Sequence, residues 1–405
     1  LTMGQVWLLK LGIASPSWQN LGLRVDPNFV GGEVSAIAFS SAYADDQTVV
    51  VVASTNLDVA AAYQNGTFLC LGQPGTPFWN ARPGYPVQIA AEGDAVGLTQ
   101  VVSMLALPAN YSNAISAPSS ARKAFVSFDR QPTLLLVDDV YRIDDTIPVR
   151  LNVAGGGNID ISSISLSGSK LLAGLTVNIG LYVPVYLTSN AFDSPPTWQP
   201  ATQPPSGPGN AKVSWGSGGI AYCGTGQSPT VPLDESAFSV SIDGGDTWMQ
   251  ISLIDTMLTI QDIAVAPSPA SLFMTTTSPM NIESVWRSAG EPLGEYWGRV
   301  LVIDASSNKV IVRLSPNYRD DYTLYVAEVD NPPNPNDGLI WVTNDRGNSW
   351  RGRHAPSEVV DMVVADSKVV YVGLNDGTVS KSKFRSIPTL PKLTCYIWLV
   401  MKHFL

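Results

Sequence analysis

Apolar residues in this sequence fall in short runs. Nowhere do they hold the i, i+3, i+4, i+7 spacing of an amphipathic helix over a long stretch. The runs are punctuated by Gly, Pro, Ser and Thr, the residues of tight turns. The pattern predicts many short strands and very little helix. One strand–turn–strand unit recurs: Ser41-Ala-Tyr43-Ala-Asp45-Asp46-Gln-Thr48 before Val-Val matches Ser315-Pro-Asn-Tyr318-Arg-Asp320-Asp321-Tyr-Thr323 before Leu-Tyr. Leu107-Pro-Ala-Asn-Tyr111 and Ala266-Pro-Ser-Pro-Ala are weaker versions. Strands of this inner kind start near residues 34, 101, 161, 212, 263, 309 and 362, which makes seven.

A second repeat comes from different residues. Ser241-Ile-Asp243-Gly-Gly245-Asp-Thr247-Trp248 and Thr343-Asn-Asp345-Arg-Gly347-Asn-Ser349-Trp350 share one pattern: Ser/Thr, any, Asp, any, Gly, any, Ser/Thr, Trp. Internal repeats of this kind decide a fold assignment. Each residue type suits a hairpin turn. The carboxylate accepts backbone N–H groups, Gly supplies positive φ, the hydroxyls close the loop, and Trp opens the next strand and packs between sheets. Eroded copies set the period. Asp193-Ser-Pro-Pro-Thr197-Trp198 keeps Asp, Thr and Trp, and Trp286-Arg-Ser ahead of Tyr296-Trp297 parallels Trp341-Val-Thr ahead of Ser349-Trp350. Trp18, Trp79, Trp198, Trp248, Trp297 and Trp350 are separated by 61, 119, 50, 49 and 53 residues. The double gap is filled near Asp138–Arg142, so this count is also seven.

The two intact segments resemble Asp boxes, or BNR repeats, of the kind found in sialidases, sortilin-type receptors, xyloglucan-cleaving endoglucanases and a photosystem II assembly factor. The resemblance implies an all-β protein: a seven-bladed β-propeller of four-stranded antiparallel blades. The chain opens with outer-strand sequence (Val6 to Gly22) and ends on inner and middle strands (Val359 to Lys383). The expectation is that N-terminal strands join the last blade and close the ring. Val6–Leu11 and Thr378–Phe384 both fit that blade's third strand. Residues 1–390 read as a single propeller. Residues 391–405 read as an apolar tail, either an added edge strand or the stub of an anchor, and too short to span a bilayer. The first residues carry no charged region leading into an apolar one, so no signal peptide is expected.

Composition narrows the function classes. Charged residues are 14% of the chain and the net charge is −10, which argues against nucleic acid as a partner. The acidic, low-charge balance suits an exported or cell-surface protein. Asn65-Gly-Thr67 and Asn110-Tyr-Ser112 match the N-glycosylation pattern. Cys70, Cys223 and Cys395 are too scattered for a disulfide framework or a metal site, and His354 and His403 do not form a zinc pair. No cofactor and no metal are expected.

The family resemblance implies catalytic groups that can be searched for. A sialidase needs an arginine triad, a Tyr–Glu pair and an acid Asp. Here Tyr141-Arg142-Ile143-Asp144 stands mid-chain, Arg24, Arg150 and Arg299 lack family context, and Glu295-Tyr296 are neighbours that point to opposite strand faces. Endoglucanases of this kind set two carboxylates across a cleft between two propellers, and this chain has length for one. There is no nucleophile elbow, P-loop or HExxH, and the run Gly155-Gly156-Gly157 precedes a strand rather than a helix. One constellation remains. Glu33, Gln100, Asp160, Asp262, Lys309 and Asp361 stand at the starts of inner strands, which share one mouth of a propeller's channel. They form either a solvated rim or a site for a cation or polar ligand, with Lys309 offsetting the charge and weakening any metal site. The resulting expectation is a non-catalytic recognition or scaffold propeller binding a glycan or a protein, with no membrane span. A sialidase-like glycoside hydrolase is the alternative.

Overall fold

The computed structural model describes residues 7–9, 18–23, 33–55, 66–75, 78–91, 100–131, 138–155, 159–176, 184–207, 210–226, 236–254, 258–267, 270–278, 282–290, 293–304, 309–329, 339–355, 359–374 and 379–383. The short apolar runs form strands throughout. Helix among the described residues is confined to single turns, chiefly Tyr43–Asp46 and Tyr318–Asp321.

Six antiparallel sheets of four strands follow one another along the chain. Each sheet is a blade whose strands run in sequence order from the inside outwards. Blade 1 holds Glu33–Phe39, Val49–Thr55, Gly66–Gly72 and Val87–Ala91. Blade 2 holds Gln100–Ala106, Lys123–Gln131, Asp139–Asp144 and Ile147–Arg150. Blade 3 holds Ile161–Ser167, Lys170–Leu175, Val185–Thr188 and Gln199–Pro200. Blade 4 holds Lys212–Trp215, Ala221–Thr225, Ser236–Ser241 and Met249–Ile254. Blade 5 holds Thr259–Pro267, Ala270–Thr277, Ile282–Ala289 and Gly298–Asp304. Blade 6 holds Lys309–Leu314, Leu324–Val329, Leu339–Thr343 and Arg351–His354.

The fold is therefore a β-propeller, and the expected count of seven four-stranded blades is corrected to six. The last sheet has three strands, Val359–Asp366, Val369–Leu374 and Val379–Lys383. The N-terminal strands Trp7–Leu9 and Trp18–Asn20 pair with each other as a separate two-stranded sheet. They lie beside Val379–Lys383, but their ladder hydrogen bonds are made with each other, so among the described residues the last sheet has no fourth strand. The three-stranded sheet sits between blade 6 and blade 1, and its inner strand lies beside Glu33–Phe39, which closes the ring.

The core lies between sheets. Each buried cluster straddles two neighbours: Val50, Val52 and Leu69 of blade 1 pack on Val126 and Ile143 of blade 2, and Val310, Val312 and Val326 of blade 6 pack on Phe273 and Val285 of blade 5. A second strand has a sheet against each face, so it is buried on both faces and mostly apolar rather than alternating. All seven residues of Val49–Thr55 are buried for this reason.

The repeated inner turn is built the same way twice. Ser40 Oγ donates to Asp46 Oδ2 at 2.7 Å and Thr48 N donates to Asp46 Oδ1 at 2.9 Å. Ser315, Asp321 and Thr323 repeat these bonds at 2.6 and 2.8 Å. The equivalent of Ser315 is thus Ser40, one residue before the Ser41 that the sequence alignment picks.

The outer turns are also alike. Asp243 Oδ1 accepts from Ser241 Oγ at 2.8 Å and from Thr247 N at 3.0 Å, while Gly245 N donates to Ser241 Oγ at 2.8 Å. Asp345 Oδ1 accepts from Thr343 Oγ1 at 2.7 Å and from Ser349 N at 2.9 Å, while Gly347 N donates to Thr343 Oγ1 at 2.9 Å. Trp248 and Trp350 each donate from Nε1 back to the turn glycine's carbonyl, at 2.9 and 3.0 Å. Gly245 and Gly347 have φ of 98° and 89°, a conformation that favours glycine. In blade 3 the carboxylate's place is taken by Asn190, whose Oδ1 accepts Thr197 N at 2.9 Å, and not by Asp193 as the sequence pattern suggests. In blade 5, Gly294 N donates to Ser288 Oγ at 2.8 Å and Trp297 Nε1 donates to Gly294 O at 2.7 Å, so the turn survives without an aspartate.

Candidate functional site: charged groups of the central channel

Four inner strands carry a register shift near their start, at Val34/Ala36, Ile161/Ser163, Ile260/Asp262 and Val359/Asp361. An extra residue there bends the strand and re-aims the side chain that follows. In three of the four, that side chain reaches across to the next sheet and accepts a backbone N–H. Ser163 Oγ accepts Val213 N at 2.9 Å, Asp262 Oδ2 accepts Val312 N at 3.0 Å, and Asp361 Oδ2 accepts Ile37 N at 3.1 Å.

Arg313, next to Val312, joins two of these positions. Its guanidinium pairs with Asp262 through Nη1 and with Asp361 through Nη2, the latter at 2.9 Å, and its Nε donates to Met362 O at 3.1 Å. Burial disfavours the charge on Arg313, but the two carboxylates outweigh it and raise its pKa well above the ordinary value. Lys309, on the same strand, lies in the field of this group. Burial lowers its pKa, Asp262 and Asp361 push it up, and Arg313 pushes it down; the net direction is down.

A second group lies at blades 2 and 3. Asp129 is near the end of blade 2's second strand, Asp138 just precedes its third, and Asp160 just precedes blade 3's inner strand. All three are buried, and each offers an oxygen within 4.8 Å of the others. Carboxylates so grouped are the donor type a hard cation takes. Lys212, at the start of blade 4's inner strand, lies between the two groups: the charges that act on it are Lys309, Asp262, Arg313 and Asp129.

The six residues nominated by sequence are thus distributed as follows. Asp262, Asp361 and Lys309 belong with Arg313. Asp160 belongs with Asp129 and Asp138. The side chains of Glu33 and Gln100 lie outside the described residues. Arg313, Lys212, Asp129 and Asp138 were not nominated. The available signal was period: Arg313 stands about one blade repeat from both Asp262 and Asp361.

Among the described residues, the arginines weighed for a carboxylate-binding triad are engaged separately. Arg142 is buried and held by Asp144 and by the carbonyls of Ala191 and Asp193. Arg150 pairs with Asp139 at 2.8 Å. Arg299 is exposed on the outer strand of blade 5, and Arg24 lies outside the described residues. Glu295 and Tyr296 are exposed on a turn. Cys70 and Cys223 are buried cysteines, and burial pushes the Cys223 pKa up. Cys395, His403 and the tail 391–405 lie outside the described residues. Among the described residues, no helix is long and apolar enough to cross a membrane.

No family model and no curated protein matches the sequence. Solved structures do match in shape. The GH74 xyloglucanase from Xanthomonas campestris is similar at a TM-score of 0.56 and 12% identity, over 87% of this chain and 52% of that one. An oligogalacturonate lyase in complex with manganese is similar at 0.54 and 8% identity, over 95% and 97% of the two chains. A chain of the mitotic checkpoint complex is similar at 0.52 and 11% identity, over 95% and 92%. This chain spans about half the length of the xyloglucanase it matches. Likeness at these identities shows the propeller fold.

Proposed function

We propose that this propeller is a non-catalytic recognition scaffold of an exported or cell-surface protein, binding a glycan or another protein on the face where its inner strands begin. The observation that carries the reading is the use to which Asp262 and Asp361 are put. A hydrolase needs carboxylates that are free to donate or accept a proton. Both of these accept a neighbouring sheet's N–H and share one arginine. Such bonding favours a rigid ring, and a rigid ring suits the display of binding loops. The matched bonding of residues 241–248 and 343–350 supports reading them as Asp-box turns, with a structural role. The acidic charge balance and the two N-glycosylation patterns support the exported or surface location.

The test is a glycan array, run with a panel of sialosides, β-glucans and pectic oligosaccharides incubated with the purified protein. Saturable binding to one glycan class without turnover supports the proposal. Enzyme-dependent release of sugar from any of the panel overturns it.

A further inference from the structure

Three buried carboxylates meet where blade 2 packs on blade 3, and the rigid-scaffold reading gives them no task. Phe128 pairs with Asp139 in blade 2, so one step further along the ladder Asp129 stands opposite Asp138. Like charges directly opposite each other on a sheet repel. Asp160 comes from blade 3, immediately before its inner strand, and its carbonyl is held by Thr176 N at 2.8 Å. Each of the three offers an oxygen within 4.8 Å of the others.

A fourth oxygen faces the same way. Side chains alternate along a strand, so Phe125, Ser127 and Asp129 share one face of blade 2's second strand, and Val140 stands opposite Ser127. Phe125 and Val140 pack on Ile161 and Leu171 of blade 3. That face is therefore aimed at the sheet that Asp160 leads into. On it, the pair Ser127 and Val140 is next to the pair Asp129 and Asp138. Ser127 is 1% exposed, and its Oγ makes no hydrogen bond among the described residues. A buried hydroxyl is costly to leave in that state.

We propose that Asp129, Asp138, Asp160 and Ser127 bind one calcium ion that ties blade 2 to blade 3. All four donors are oxygen, which selects a hard cation over zinc or copper. Size then selects among hard cations. Ligands about 2.3–2.6 Å from calcium can stand up to about 5 Å apart, which covers the whole 4.8 Å range. Magnesium holds its ligands at about 2.0–2.1 Å and spans only about 4 Å. The ion offsets the repulsion among the carboxylates and gives Ser127 Oγ a partner. It crosslinks two sheets as Arg313 does between blade 5 and the closing sheet. Its role lies in the ring, whatever glycan or protein the scaffold binds.

The test is calorimetric titration of the full, calcium-stripped chain with calcium chloride, with denaturant unfolding in parallel. One ion per chain is expected to bind with a Kd on the order of 10 μM or tighter, and magnesium at least about tenfold more weakly. Calcium at about 1 mM should move the unfolding midpoint to higher denaturant. Asp160→Asn should weaken calcium binding at least about tenfold. Ser127→Ala keeps all three carboxylates and has no hydrogen bond to lose. It should therefore unfold no earlier than the wild type without calcium, yet bind the ion several-fold more weakly. A folded, calcium-stripped wild-type chain that takes up no calcium below about 1 mM overturns the proposal. So does calcium binding that either Asp160→Asn or Ser127→Ala leaves unchanged, or magnesium binding as tight as calcium binding.

Discussion

Replacing Arg313 by methionine tests whether the channel's charges hold the ring together. The side chain keeps its stem and loses its guanidinium, so Asp262 and Asp361 keep their backbone donors but lose their shared cation. Breaking a fully buried ion pair from one side costs about 3–5 kcal/mol. Here the side chains of Arg313, Asp262 and Asp361 are 28%, 13% and 16% exposed, so water relieves part of the stranded charge. The expected cost is about 2–4 kcal/mol, the range for losing two charge-assisted hydrogen bonds in a partly wet site. Equilibrium unfolding in guanidinium is the measurement. A melting scan is the weaker assay, because a chain of 405 residues shifts only about 1 °C per kcal/mol at the usual unfolding entropy per residue. The sharper readout is coupling. Adding Asp262→Asn to Arg313→Met removes one of the two stranded charges, so the double variant should be more stable than the sum of the singles by about 1–2 kcal/mol. Strict additivity, or an Arg313→Met chain within about 0.5 kcal/mol of wild type, would refute the argument that Arg313 clamps two sheets.

Other expectations follow from the turns. Asp243→Ala and Asp345→Ala should each lower stability by about 1–3 kcal/mol, because each strands backbone donors; loss of a measured ligand affinity at unchanged stability would count against a structural role. Burial raises the Asp243 pKa, but the bonds from Thr247, Ser241 and the Asp246 N–H outweigh it and bring it down to about 2, against an ordinary 3.8. A depressed folded value means that the carboxylate's contribution is complete above pH 3.8 and is lost as pH falls towards 2. An Asp243→Asn chain should therefore differ from wild type at pH 6 and converge with it near pH 2, as followed by denaturant unfolding. Gly245→Ala should cost about 2 kcal/mol or more, because φ is 98° and the new Cβ would stand 2.5 Å from Leu172 Cδ2; a neutral effect would show that the turn can rearrange.

What was legible in the sequence is what is decided locally. The Trp-marked outer turns and the Ser–Asp–Thr inner turns are each closed by bonds within a few residues, so their chemistry is written in adjacent letters. The errors lie where the partner is remote or interchangeable. Asn190 does for blade 3 what aspartate does for blades 4 and 6, and an amide oxygen and a carboxylate oxygen are the same acceptor to a backbone N–H. The last sheet is ambiguous in sequence because two segments carry equally suitable strand sequence. Only hydrogen-bond pairing decides between them, and Trp7–Leu9 pairs with Trp18–Asn20. The channel groups were half legible. Strand starts can be counted, but Arg313 acts on residues a blade repeat away in either direction, and nothing adjacent to it announces that.

The position after the inner-strand bulge shows what governs the channel's charge. In blades 3 and 4 it is Ser163, bonded to Val213 N, and the residue after Val213 is Ser214. In blades 5 and 6 it is Asp262, bonded to Val312 N, and the residue after Val312 is Arg313. The same inter-sheet clip is thus made once from a neutral pair of residues and once from a charged pair. A serine accepts the N–H without further demands, whereas a half-buried carboxylate requires a cation. At the ring's closure, Asp361 is bonded to Ile37 N, and the residue after Ile37 is Ala38, which offers none. Asp361 takes its cation from the opposite side, from the same Arg313. One arginine therefore neutralises two clips, since blade 1 has Ala38 where blade 6 has Arg313, and the join between the last sheet and blade 1 draws on a residue of blade 6.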